Sequence, residues 1–216
     1  MLTPIEKILF ILVALASAYL TFRGLIRIAK NISGGQGKID WSLLPKRIGD
    51  VILKAGFFQK VFRFRLIPSV FHLLIAWSFL ILAVSDLADP IYALTNVRVL
   101  NHLGWLGRFY LSVADIANAA VLIGILFMAT RRFIVRPANL WTRDTTLLHP
   151  KARSGILRDS AIVGSFILLH VGSRFAGESL RLAAHGPDPW QPFASALSGL
   201  WVNWSETALT VGVHLA

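Results

Sequence analysis

Apolar residues fall into four long runs and one short one, with polar and basic stretches between them. The first run, about 5–28, closes on Arg23, Arg27 and Lys30 and is followed by a Gly/Ser/Asn-rich break from Asn31 to Gly37. The second, about 66–87, carries Pro68 in its first turn, where a missing N–H costs little. The third, about 106–130, contains Asp115 and Asn118 and ends in Arg131 and Arg132. The fourth, about 157–183, contains His170, Arg174 and Glu178. Each is long enough for a helix that crosses a bilayer, which takes about 20 residues. A Pro- and Trp-rich loop follows, around His185 to Trp204. The last run, 205–216, covers about half a span, so the pattern predicts an incomplete fifth helix and a natural polypeptide that continues beyond Ala216.

Between the first two runs, 41–65 has a different rhythm. Ile48, Val51, Ile52, Ala55, Phe58 and Phe62 recur at helical spacing among Lys46, Arg47, Lys54, Lys60 and Arg63. That pattern predicts a helix lying in the membrane interface, or else a docking surface for a partner protein.

Composition agrees with a polytopic membrane helix bundle, an all-α fold of about five transmembrane helices in a single domain, 1–216. The chain is 55% hydrophobic and 15% charged, with mean hydropathy +0.63. Its net charge of +11 does not point to nucleic acid, because the cations cluster in two loops. Of 22 Lys and Arg, ten lie between Arg23 and Arg65 and seven between Arg131 and Arg158. Positive loops face the cytoplasm, so the N-terminus is expected outside a cell's inner (plasma) membrane. Glu6 and Lys7 precede the first run and no small-residue cleavage site stands out, so that run reads as a retained helix rather than a signal peptide. With no cysteine, this stretch holds no disulfide, no iron–sulfur cluster and no thioether-linked haem.

His72, His170 and His214 lie within three different apolar runs, whereas His102, His149 and His185 lie in loops. An imidazole in hydrocarbon is costly without a partner. One reading is a histidine bonded to a neighbouring helix. The other is haem b, one or two, held by paired imidazoles inside a bundle. His72 shares a face with Ser69, Ala76, Phe79 and Ala83, small residues among them leaving room for something flat. Counting from the expected helix ends puts His170 and His214 at similar depth and His72 about 10 Å nearer the cytoplasm. His170, Arg174, Gly177 and Arg181 share another face. Arg174 and Arg181 thus qualify as cations for a haem propionate; alternatively Arg174 pairs with Glu178 one turn on.

FHLLIAWSFLILAVSDL (71–87), RRFIVRP (131–137), GESLRLA (177–183) and VGVHLA (211–216) resemble the respiratory nitrate reductase gamma subunit. They also resemble the membrane subunit of heterodisulfide reductase and the amino-terminal membrane part of large iron–sulfur oxidoreductases. The resemblance implies a b-type haem domain passing electrons between a quinone, menaquinone or ubiquinone, and a cytoplasmic iron–sulfur subunit or downstream domain. It makes His72 the first ligand of the second helix and His214 the first ligand of the fifth. Where that family has a second histidine in the second helix, this chain has Leu82, which leaves His170 to partner His214 at an outer haem. The fifth helix's second histidine would fall beyond Ala216. Quinone chemistry moves protons as well as electrons, and Asp115, Glu178 and His185 are the candidates for that path. Their alternative roles are interhelical bonding for Asp115 and interfacial solvation for the other two.

Two other functions fit the same pattern. A transporter- or channel-like bundle would line a polar path with Asp115, His170 and Arg174. A haem-free membrane anchor of a complex would need none of these groups.

Overall fold

A computed structural model describes residues 3–35, 40–57, 62, 65–141 and 145–216. The fold is all-α, with no strand among the described residues. Seven α-helices follow in chain order among the described residues: α1 Pro4–Ser33, α2 Leu44–Val51, α3 Leu66–Thr95, α4 Gly104–Ala129, α5 Pro150–His185, α6 Pro192–Ser198 and α7 Glu206–Leu215. Among these residues, four segments are long and apolar enough to cross a membrane: α1, α3, the Val99–Val135 segment containing α4, and α5.

Helix ends follow local chemistry. Thr3 caps α1 in a reciprocal box: the Glu6 N–H donates to Thr3 Oγ1 at 3.4 Å and the Thr3 N–H to Glu6 Oε2 at 2.7 Å. α3 runs eight residues past its expected end at Leu87, through Pro90, and stops where Asn96 turns left-handed at φ 63°. One proline forfeits one backbone bond inside a helix, and the aspartates that marked the expected end are matched by a cation from α5, described below. α5 starts at Pro150, seven residues before its expected start, and has 36 residues. At 1.5 Å per residue it is about 54 Å long, so it projects beyond a hydrocarbon core of about 30 Å.

α3 and α4 pack where side chains vanish. A methyl group on Gly124 would lie 2.7 Å from Ile75 Cγ1, so only glycine lets these helices approach so closely here. Phe71 stacks on Phe127 one turn away, with ring centroids 3.8 Å apart. The main core gathers Leu82 of α3, Ala114, Ala117 and Val121 of α4, and Val171 of α5. Tyr110 ties the same helices: its hydroxyl donates to the Ile81 carbonyl at 2.8 Å and accepts the Ser85 N–H at 3.0 Å. A second core joins Phe175 and Leu182 of α5 to Ala194 of α6.

α1 has no buried residue. It meets the bundle at its N-terminal end, where Lys7 Nζ donates to the Leu94 carbonyl at 2.8 Å and Glu6 meets His214. The alternating helices bring both basic loops to the opposite end. There the expected interfacial segment is a 3₁₀ turn, Trp41–Leu43, then α2, then a π-helical turn, Ile52–Gly56, with no buried residue in any of them. Asp40 caps the first turn. It accepts from Ser42 Oγ at 2.6 Å and from the Ser42 N–H at 3.0 Å, bonds that hold its carboxyl below the usual range. Trp77 of α3 donates to the Gly56 carbonyl at 3.0 Å. Phe58, Lys60, Arg63 and Arg143 lie outside the described residues.

Candidate functional site

A cluster of ionisable groups joins the membrane helices α3 and α5. Asp86 and Asp89 stand three residues apart and so share one face of α3. Arg174 of α5 reaches both through Nη1, 3.3 Å from Asp86 Oδ1 and in contact with Asp89 Oδ2. One turn along α5, His170 Nε2 lies 3.5 Å from the same Asp86 oxygen. The imidazole stacks on Phe166, 5.9 Å between centroids, and tilts against Phe79 at 6.5 Å. Phe79, Leu82 and Val171 complete the walls of this crevice. Two carboxylates, one guanidinium and one imidazole together tie α3 to α5.

Arg174 therefore answers the aspartates of α3 and not Glu178. Glu178 is held in a closed triad. Arg181 forks onto it, Nε to Oε2 at 2.9 Å and Nη2 to Oε1 at 2.6 Å, and Gln191 Nε2 donates to Oε1 at 2.7 Å. Arg181 Nη2 closes the ring on Gln191 Oε1 at 3.2 Å. His185 Nδ1 bonds the Arg181 carbonyl at 2.9 Å. Asp115, 2% exposed, caps α6 across the bundle. Its two oxygens accept the Phe193 and Ala194 N–H groups at 2.7 and 2.9 Å. The three proton-path candidates thus have structural partners, and the pairing of His170 with Asp86 is the one the sequence left unread. The legible signal was the Asp-x-x-Asp spacing opposite an Arg on the same end of the bundle.

The histidines stand at three levels. His170 is level with Asp86, fourteen residues along α3 from His72, a separation of about 21 Å rather than 10 Å. His72 is exposed on α3. α7 runs back along α5: a methyl on Gly177 would come 2.8 Å from Ala216 Cβ, and one on Gly212 3.0 Å from Leu180 Cδ1. His214 is therefore level with residues between 177 and 180, and stands about 10–15 Å from the level of His170. Its Nε2 lies 3.0 Å from Glu6 Oε1 of α1. His170 and His214 are not brought to one point, and together they do not fit the two faces of one iron. The expected common depth fails because α7 packs beside 177–180 of α5, which sets His214 nearer the C-terminal end of α5 than His170. His149 caps α5, accepting the Lys151 N–H at 3.3 Å, and His102 is exposed in the 3₁₀ turn Val99–Leu103. Among the described residues, no group of three or more His, Asp or Glu is arranged to hold a metal ion.

No family model, no curated protein and no solved structure matches the chain.

Proposed function

We propose that the chain is the membrane electron-transfer domain of a quinone-linked oxidoreductase, binding b-type haem and serving a cytoplasmic iron–sulfur partner. The observation behind this reading is how the bundle spends its polar groups. Asp115 holds α6, Glu178 and Arg181 hold each other, and Tyr110 ties α3 to α4. His72 is exposed on α3 and His214 lies near the end of α7 beside Glu6 of α1, so both imidazoles stand on apolar helices at the positions where the family resemblance expects iron ligands. Haem bound there supplies one-electron chemistry.

His72 and His214 each offer one axial nitrogen, at well separated levels. Arg174 and Arg181 carry carboxylate partners and are committed to the fold before any propionate. His170 belongs with Asp86 and Arg174 to the tie between α3 and α5, its ring packed on Phe166. A channel-like path has less support: Asp115 spends both oxygens on α6, while His170 and Arg174 share their crevice with Phe79, Leu82 and Val171.

Haem per protein in purified His72→Ala and His214→Ala tests the assignment. Each variant is expected to lose haem, while His170→Ala keeps its haem content. Unchanged haem in both ligand variants would remove these residues from the site.

A further inference from the structure

A groove of about 310 Å³ runs between α4 and α5 at the end of the bundle that carries the basic loops. One side is Ile125, Leu126 and Ala129 of α4 with Phe133 of the π-helical turn that follows it; the α5 side is Ala161, Gly164, Ser165 and Leu168. Small residues make it. A methyl on Gly164 would lie 3.9 Å from Ile125 Cδ1, ordinary contact with room left over. The volume sits at the lower end of ligand pockets, about 300–1,000 Å³.

Arg132 directly precedes Phe133 of the groove, in the π-helical turn Thr130–Val135 that follows α4, and so stands at the groove's basic end. Its Nε is buried and finds no hydrogen-bond acceptor. A guanidinium N–H shut away without an acceptor is an expensive thing to leave in a fold. The next arginines in the chain, Arg131 and Arg136, stand at the same end. An apolar trough that ends in an arginine with an unmet N–H matches an amphiphile with a long chain and an anionic head.

We propose that this groove binds an anionic phospholipid, one acyl chain lying against Gly164 and Ala161 and the phosphate accepting from Arg132. The charge at the groove's end selects the lipid. A zwitterionic headgroup brings its own cation and gains less there, and arginine's fork suits a phosphate better than lysine's point charge does. This site is independent of the haem reading, because none of the histidines lines the groove.

The full chain, purified in mild detergent and reconstituted in nanodiscs of equimolar phosphatidylcholine and phosphatidylglycerol, provides the test. Lipid retained after detergent washing is counted by native mass spectrometry. The wild type should retain phosphatidylglycerol in preference to phosphatidylcholine. Arg132→Gln should reduce that preference about tenfold, the worth of one charge-assisted hydrogen bond, and Arg132→Lys should fall between. Gly164→Leu fills the trough and should reduce retention of both lipids. Arg108→Gln, at the other end of the bundle, should change nothing. Equal retention of both lipids by the wild type, or undiminished preference in Arg132→Gln, overturns the proposal. Melting temperature, read alongside, separates a lost site from a lost fold: reduced retention counts only at a wild-type melting temperature, and the milder Gly164→Ala should then retain lipid as the wild type does.

Discussion

Removing the Asp115 carboxylate should release α6 before it disturbs anything else. The helix has seven residues, too few to hold itself, since isolated helices below about 12 residues are marginal. Its first turn presents the Phe193 and Ala194 N–H groups to one buried carboxylate from α4. In Asp115→Ala both lose their acceptor. Ala194 is fully buried, so its N–H carries the desolvation penalty of an unmet donor, about 1–3 kcal/mol, and losing a cap costs about 1 kcal/mol more. The expected cost is about 2–4 kcal/mol, which raises the open population of α6 roughly 30- to 900-fold. Asp115→Asn keeps one acceptor oxygen but turns an NH₂ toward a donor, and should cost about half as much. Chymotryptic cleavage after Phe193 or Leu197 reads the opening, because the backbone must unwind to enter a protease. The cleavage rate should rise in the order wild type, Asn, Ala. Equal rates in all three would show that Asp115 does not hold α6, and would return it to the proton-path candidates.

Gly124→Val should cost about 1–3 kcal/mol by driving a side chain into Ile75, and Ile75→Ala in the same chain should recover part of that loss, measured as melting temperature across the four-member cycle. Glu178→Gln strips Arg181 of its charge partner; because these side chains are 28% and 22% exposed, solvent tempers the cost to about 1–3 kcal/mol, again read by melting. Cysteines placed at Ser33 and Thr145 should resist an impermeant thiol reagent in intact cells, and labelling of both would reverse the orientation that the basic loops imply.

The long helices were legible because hydrophobic runs of membrane length leave few alternatives. Their ends were less so. Asp86, Asp89 and Pro90 read as a stop, yet α3 continues to Thr95 because Arg174 matches the aspartates. That match is non-local: 88 residues separate Asp86 from Arg174. The sequence offered Glu178, one turn away from Arg174, and local spacing cannot choose between a near partner and a distant one. α6 escaped notice for the same reason, since its stability comes from an acid 78 residues upstream. The relative depth of the histidines depended on how α7 packs on α5. The register set at Gly177 and Gly212, which no local spacing reveals, separates His170 from His214.

Haem is the point on which the functional account stands, and an absorption spectrum tests it most directly. Protein purified from a host supplied with a haem precursor should show sharp reduced-minus-oxidised bands of b type with dithionite. Those bands should appear also on adding a reduced quinol, and a pyridine haemochrome should return haem b at one or two per chain. A haem-free spectrum from folded, monodisperse protein would contradict the account and leave a membrane bundle whose histidines serve the contacts described above.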